Sequence, residues 1–371
     1  MEEFAREVAL SKDAAELHSA LVFDSPEDAR RKFASLAVLL AGVGARVVSV
    51  ELFGPSKYSE CAEIFKAEAG AAECPVMRVL PLDEESAPEL AGAHVTSVRG
   101  VEPEFEKTAS GSKAVHFECG GEEYCRTFGV CAPDSGGDAA EYTKLSISEL
   151  SEALAACGFG FSDVARTWFY NRDILSWYDG FNRGRTEIFR KMGVFDGLLP
   201  ASTGIGSPNP AGVRIQCGAF AVRGAPRAGR VYEIESPLQC GAPEYGSSFA
   251  RAVEMELGGG RRIMVSGTAS IDPVGNTVHF GDIDRQVSLT MRVIGAILES
   301  RGMSFKDTVR AVAYCMNPRY YAAFKKWMSE NCEIPHVPSY STVCRSDLMF
   351  EVELDAASNP RSRFAGGGAA K

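Results

Sequence analysis

The sequence predicts an α+β protein assembled from repeated modules, each with helices packed on one face of a mixed sheet. Three observations carry that prediction. A helix–strand–helix–strand pattern recurs at a fixed offset, strand pairs precede its later copies, and the chain is long enough for several small units. Its 371 residues correspond to two or three domains at about 150 residues each. A chain of this length buries roughly three-quarters of its unfolded surface, so it needs neither disulfides nor a metal to hold together.

The repeat is clearest between the second and third copies. Residues 153–170 read ALAACGFGFSDVARTWFY, and residues 297–314 read ILESRGMSFKDTVRAVAY. At an offset of 144, Leu154, Gly158, Phe161, Asp163, Arg166 and Tyr170 match Leu298, Gly302, Phe305, Asp307, Arg310 and Tyr314. Each copy opens as a helix with apolar residues at helical spacing, stopped by its glycine. The aromatic and β-branched content of Arg166–Tyr170 and Val309–Tyr314 then predicts strands. Second helices follow at Ile174–Arg190 and Tyr320–Met328, leading to strands at Pro200 and Pro338. A fainter first copy places helices at Phe33–Gly44 and Tyr58–Ala69, with strands at Arg46–Phe53 and Pro75–Leu80.

Strand pairs stand ahead of the later copies. Lys113–Glu118 and Glu123–Val130 flank a Gly-Gly turn, a hairpin signal. Arg262–Ile271 and Thr277–Phe280 flank the turn-rich Asp272–Asn276. The module boundaries follow: a degenerate first module at 1–105, a second at 106–228 and a third at 229–357. The tail at 358–371 has too little to bury and is expected to be disordered.

Composition bounds the function. Hydrophobic residues make up 45% and charged residues 24%, values of a soluble globular protein. A net charge of −10 argues against a sequence-blind nucleic-acid binder, while a local cluster of arginines can still hold a small anionic substrate. The start, MEEFAREVAL, is acidic where a signal peptide needs positive charge. The apolar run from Leu36 to Val43 is far shorter than the ~20 residues of a membrane helix. The 11 cysteines lack CxxC pairs and read as reduced, mostly buried thiols. A cytoplasmic protein without membrane or nucleic-acid partners is expected. The histidines at 18, 94, 116, 279 and 336 show no ligand spacing, so neither a metal nor another cofactor is expected. Gly258–Gly260 precedes a strand rather than a helix and reads as a turn, not a phosphate loop. No Gly-x-Ser-x-Gly elbow or dinucleotide fingerprint is present.

The third module resembles the RidA/YjgF family. The matching residues are Val265-Ser266-Gly267, Gly281-Asp282-Ile283 with Gln286, Gly302 with Phe305, Pro338–Val343 and Phe350-Glu351-Val352-Glu353. The resemblance implies tandem RidA/YjgF-like modules (chorismate-mutase-like barrel) closing into a one-chain pseudo-trimer, and hence a monomer. Imine-hydrolysing members carry an arginine two residues after the proline of the penultimate strand, where it grips a substrate carboxylate. Tyr340 stands there in the third module, where it is a candidate substrate-binding residue, and Ser202 or Thr203 in the second. A neutral hydroxyl cannot make the bidentate grip of guanidinium on carboxylate, which argues against ordinary imine deamination.

A narrower resemblance, to the chorismatases, fits better. Cys344-Arg345-Ser346-Asp347-Leu348-Met349-Phe350-Glu351 is similar to their last module, in which a glutamate is the acid. Tyr178 and Arg185, seven residues apart and followed by Pro200–Gly206, are similar to their middle module. The resemblance implies hydrolysis of the enolpyruvyl ether of chorismate, or a related carboxylate, to pyruvate and a dihydroxycyclohexadienoate or hydroxybenzoate. The alternatives are a RidA-like imine or enamine hydrolase and an inactive small-molecule-binding protein of the same fold.

The residues themselves suit that chemistry. Protonating an enol-ether carbon needs an acid still protonated near neutral pH, which a desolvated glutamic acid provides. In LMFEVEL, strand alternation puts Met349, Glu351 and Glu353 on one face and Leu348, Phe350, Val352 and Leu354 on the other. The alternative is a solvated glutamate pair on an exposed face. Arg185 is the first choice for a substrate carboxylate, on the same helix face as Tyr178. Arg214, in the apolar VRIQCGAF, is a second choice, with an internal salt bridge as its alternative. By resemblance, Cys344 in the preceding strand distinguishes ring aromatisation from simple hydrolysis, with Gly267 or Ala269 as its partner position. The alternative for Cys344 is an inert buried thiol.

Overall fold

The computed structural model describes residues 4–84, 90–133, 136–224, 230–358 and 360–362. Three six-stranded mixed sheets repeat one topology. The first module contains β1 (Phe4–Ala9), β2 (Ala15–Phe23), α1 (Pro26–Gly42), β3 (Ala45–Phe53), α2 (Ser59–Glu68), β4 (Val76–Val79) and β5 (Ala91–Arg99). The second contains β6 (Glu104–Lys107), β7 (Lys113–Cys119), β8 (Glu122–Cys131), α3 (Ala139–Ala156), β9 (Val164–Asn171), α4 (Tyr178–Lys191), β10 (Ala201–Ile205) and β11 (Ile215–Gly224). The third contains β12 (Val231–Ile234), β13 (Ala252–Leu257), β14 (Gly260–Ala269), α5 (Ile283–Ser300), β15 (Thr308–Cys315), α6 (Tyr321–Glu330), β16 (Val337–Tyr340) and β17 (Phe350–Ala357), and β18 (Arg361–Ser362) follows it.

The strand orders are β6-β7-β8-β11-β9-β10, β12-β13-β14-β17-β15-β16 and β18-β1-β2-β5-β3-β4. The C-terminal β18 therefore fills, in the first module, the edge place that β6 and β12 fill in the others. For Arg361 and Ser362 this corrects the expectation of a disordered tail. Arg361 and Ser362 pair antiparallel with Glu7 and Arg6, because an open edge of backbone donors and acceptors is satisfied by any strand in reach. Residues 363–371 lie outside the described residues. Two smaller expectations also shift. β6 begins at Glu104, two residues ahead of the expected boundary. The third hairpin is β13/β14, turning at Gly258–Gly259, whereas Thr277 makes only an isolated bridge to Ile271.

The matched residues of the repeat are explained by local geometry. Gly158 and Gly302 follow α3 and α5 with φ of 77° and 69°, a left-handed conformation that glycine adopts without strain. Asp163 accepts the Gly160 N–H at 2.9 Å, and Asp307 accepts the Ser304 N–H at 2.8 Å, closing one tight turn ahead of β9 and β15. The side chains of Ser25, Asp138 and Asp282 cap α1, α3 and α5, each satisfying a first-turn N–H that has no intrahelical partner.

Apolar faces go beneath the helices. Phe350, Val352 and Leu354 of β17 are buried with Val287, Met291, Ile294 and Leu298 of α5. The opposite faces meet at the centre of the molecule. There β4 packs against β8, β10 against β14, and β16 against β2 and β5, so the three modules close a ring within one chain. Buried ion pairs cross every joint: Glu16 to Arg126 and Arg262, Arg166 to Glu353, and Arg310 to Glu51. Tyr170 and Tyr314, matched in the repeat, meet there hydroxyl to hydroxyl at 2.8 Å. Among the described residues no helix is long and apolar enough to cross a membrane.

Candidate active site

The joint between the second and third modules encloses a cleft of about 570 Å³, its open mouth included. One wall is α4, which lies close on α3. A Cβ on Gly180 would sit 2.4 Å from the Ala139 Cβ, and one on Gly184 would sit 2.4 Å from the Ala140 carbonyl oxygen. Glycine spacing thus sets the helix where Tyr178, Phe181 and Arg185 face the cleft. The floor is formed by β10, β14 and β17, contributing Ser202, Gly204, Gly267, Ala269 and Glu351.

Glu351 is 5% exposed and Glu353 is 0% exposed, which dismisses the solvated pair. Their shared strand face is the interior one, as alternation predicts. The two carboxyls live in opposite environments. Glu353 accepts from Arg166 Nη2 at 2.8 Å, Trp168 Nε1 at 3.0 Å and Arg310 Nη2 at 2.6 Å. Those cations hold it down at about 2. Among the described residues, no side chain donates to Glu351. Burial and the neighbouring Glu353 charge push its carboxyl up to about 8, so it is a neutral acid at pH 7. Gly267 makes room for it, because a Cβ there would lie 2.0 Å from a Glu351 carboxyl oxygen.

Two buried guanidiniums face this acid across the cleft. Arg185 is 2% exposed and donates from Nη2 to Asn182 at 2.7 Å. Arg251 is 4% exposed and donates from Nε to the Cys240 carbonyl at 2.8 Å. Both stack on Phe249, at 5.6 and 5.9 Å from its centroid. The Nε of Arg185 and the Nη2 of Arg251 are buried without a partner, and neither arginine has an ion pair among the described residues. Burial pulls Arg185 below its ordinary value. Desolvated, uncompensated cations with unused N–H groups are costly unless an anion completes them.

Cys344 closes the cleft beside Tyr178. It sits in the loop between β16 and β17, not in a strand as expected. Burial and the adjacent Glu351 push its thiol to about 12, so it is a neutral thiol rather than a nucleophilic thiolate. Burial also raises Tyr178, and it lifts Tyr245 to about 12.

Six of the eight residues singled out from the sequence therefore line one cleft: Glu351, Cys344, Tyr178, Arg185, Gly267 and Ala269. Two do not. Arg214 precedes β11, donates to the Gly137 carbonyl at 3.0 Å and stacks on Tyr142 at 4.2 Å. Its guanidinium is engaged by that carbonyl and that ring, outside the cleft. Tyr340 ends β16, away from the cleft lining. The parallel register also corrects one alignment. Thr203 lies opposite Trp168 and Val337 opposite Val312, so Gly204 rather than Pro200 is the counterpart of Pro338.

Arg251 and Phe249 escaped the sequence reading. Their signal was present in Phe249-Ala250-Arg251-Ala252-Val253, an arginine entering an apolar strand, the same pattern that drew attention to Arg214.

Comparison with known proteins agrees with the motifs. Residues 242–358 match the family described as endoribonuclease L-PSP, the RidA-type domain. The chain is 27% identical over 254 residues to a chorismatase of Streptomyces rapamycinicus, covering 61% of this chain and 73% of that protein. It is 32% identical over 188 residues to a chorismatase of Streptomyces hygroscopicus, covering 46% of this chain and 52% of that one, so this match spans about half of that relative. A crystal structure of a chorismatase superposes with a TM-score of 0.64 at 19% identity, over 84% of this chain and 93% of the other. The chain carries a RidA-type domain and is chorismatase-like in sequence and in fold.

Proposed function

We propose that the cleft between the second and third modules hydrolyses the enolpyruvyl ether of chorismate, or of a closely related dicarboxylate. The observation that carries this reading is a neutral, buried Glu351 facing two arginines with open valences. The acid is the group that enol-ether cleavage needs, and the arginines are what a dianion needs. The similarity to the Streptomyces chorismatases supports the same substrate.

In this reading Arg185 and Arg251 each take one carboxylate, and Phe249 holds the two guanidiniums at a fixed spacing. Glu351 gives its proton to the terminal methylene carbon, leaving an oxocarbenium ion. The resulting Glu351 carboxylate takes a proton from the water that adds to that ion. The hemiketal collapses to pyruvate and the ring alcohol, so one water is consumed and no electrons leave. If, after pyruvate has left, the ring also loses one hydroxyl together with a ring C–H proton as water, the product is a hydroxybenzoate, with no net uptake of water. Cys344, a neutral donor beside the ring's place, is assigned to that choice of product. No step needs a cofactor.

Pyruvate release from chorismate, followed by a coupled lactate dehydrogenase assay, tests the reading. Sustained release that disappears in Glu351→Gln supports it. No pyruvate above background at high protein concentration overturns it. We also propose, because the ring closes within one chain, that the protein is a monomer near its 39.9 kDa chain mass, and a trimer by light scattering would contradict that part.

A further inference from the structure

Among the described residues, the first module contributes nothing to the lining of the cleft, yet it reaches the site through the barrel interior. Glu51 of β3 takes both Nε and Nη2 of Arg310, at 2.9 and 2.5 Å. Arg310 in turn contacts Glu353 at 2.6 Å and stands 3.5 Å from Asp355. From the second module, Arg166 bonds Glu353 and also the Thr203 hydroxyl at 2.8 Å, and that hydroxyl accepts the Gly267 N–H at 3.2 Å. Arg166 and Arg310 flank the Trp168 ring at 5.2 and 5.3 Å. All three modules thus converge on one carboxylate, two residues along β17 from the acid of the cleft.

We propose that Glu353 is a positioning residue for Glu351: clamped by Arg166, Trp168 and Arg310 and braced from the first module by Glu51, it takes the nearby donors for itself and, as a fixed negative charge, keeps the proton on Glu351. The inference rests on the reading of Glu351 as the acid. Other charges bear on Glu351 too. Arg251 and Arg166 favour its ionised form. From the cleft side, Arg185, Arg345 and the neutral Cys344 and Tyr178 share the lining with it. Tyr314 of β15 stands opposite it in register, with its hydroxyl turned to Tyr170. Against these cations, the near and permanent anion is Glu353. Two like carboxyls on one strand face cannot both ionise cheaply, and the one that owns the donors ionises first.

The test is a substrate-free titration. The infrared carbonyl band of the protonated carboxyl, assigned to Glu351 by its absence in Glu351→Gln, is followed against pH in the wild type, Glu353→Gln and Glu51→Gln. The midpoint is expected to fall by about one pH unit or more in Glu353→Gln, and by less in Glu51→Gln. An unchanged midpoint in folded Glu353→Gln overturns the proposal. If that variant does not fold, Glu51→Gln decides alone: a downward shift supports the coupling, and an unshifted band refutes it. Because no substrate enters, this outcome is independent of whether chorismate is turned over. Where turnover is measurable, the alkaline limb of the pH–rate profile should move with the band. A merely structural role would lower activity evenly across pH.

Discussion

The second–third joint and the first–second joint share a strand topology and differ in the side chains that line them. In the first, Ala269 lies opposite Glu351 between β14 and β17. In the second, Cys131 lies opposite Gln216 between β8 and β11. Glycines stand two residues earlier in both, at Gly267 and Gly129, and a Cβ on either would collide within 2.2 Å. Both joints form a cleft, the second lined by Arg78, Gly129, Cys131 and Gln216 among others. There, however, Gln216 Oε1 accepts the Arg78 backbone N–H at 2.9 Å. The Arg78 guanidinium is spent on the carbonyls of Leu52, Gly54 and Pro55 and on the Ser59 hydroxyl. An amide replaces the acid, and a satisfied arginine replaces two open ones. The fold builds equivalent clefts; the unmet valences decide which of them calls for a ligand.

The sharpest way to break this comparison is to make the two joints alike. Glu351→Gln gives the proposed active joint the amide of the other. It should cut turnover by at least about 10²-fold, the size of a general-acid contribution, while substrate affinity stays within a few-fold. Pyruvate release and calorimetric binding measured on the same preparation check both halves. Gln216→Ala, at the equivalent place, should leave turnover unaltered.

The arginines come next. Arg185→Ala and Arg251→Ala should each weaken substrate binding by about 2–4 kcal/mol, the cost of stranding a desolvated carboxylate. Arg78→Ala should leave binding unchanged and lower the thermal midpoint instead, because its bonds are all internal. Equal affinity in the wild type and Arg251→Ala would remove the second carboxylate grip from the site.

These two tests also mark how much was legible beforehand. The repeat at offset 144 exposed the architecture because strand and helix ends need specific residues: Gly158 and Gly302 to stop helices, Asp163 and Asp307 to close turns. Strand alternation found Glu351 and Glu353 on one face, since a period of two survives any tertiary context. Periodicity does not say what a charge meets. Arg214 and Arg251 look alike in sequence, each an arginine entering an apolar strand, and only packing separates a half-buried cation outside the cleft from a buried one that lines it. The opposite fates of Glu351 and Glu353 were hidden for the same reason. Their donors come from β9 and β15, in another module or across a crossover, and nothing local encodes that meeting. β18 escaped because two residues carry no pattern of their own.

Stability against pH sharpens the contrast further. The Glu351 carboxyl rises from 4.5 to about 8 in the native state. The unfolded chain has released that proton while the fold still holds it, so the native state is penalised from about pH 4.5 upward, and fully above about pH 8. Glu353, held at about 2, has the opposite sign: its contribution is present above about pH 4.5 and is lost as the pH falls toward 2. Glu351→Gln should therefore be more stable than the wild type near pH 9, by on the order of a few kcal/mol, and equal to it near pH 4. Denaturant melts at the two pH values check the difference. The reverse graft, Gln216→Glu, should create no second activity and should lower stability near neutral pH by about 1–3 kcal/mol, since the amide's donation to Cys131 is lost and the Arg78 backbone N–H alone would face a buried carboxylate.

The smallest expected effect belongs to Arg214, and it isolates what a place in the cleft means. Arg214 resembles Arg251 in its sequence setting, but its guanidinium lies 4.2 Å from the Tyr142 ring centroid and donates to the Gly137 carbonyl. It does not line the cleft. Arg214→Ala should leave turnover and substrate affinity within about twofold of the wild type and shift stability by about 0.5–1 kcal/mol, the value of a partly exposed cation–π contact. Kinetics and a thermal melt on Arg214→Ala beside Arg251→Ala make the comparison direct. If both substitutions weakened binding equally, packing around the guanidinium would not be what sets the two arginines apart. The contrast between a buried arginine that lines the cleft and a half-buried one outside it would then fall.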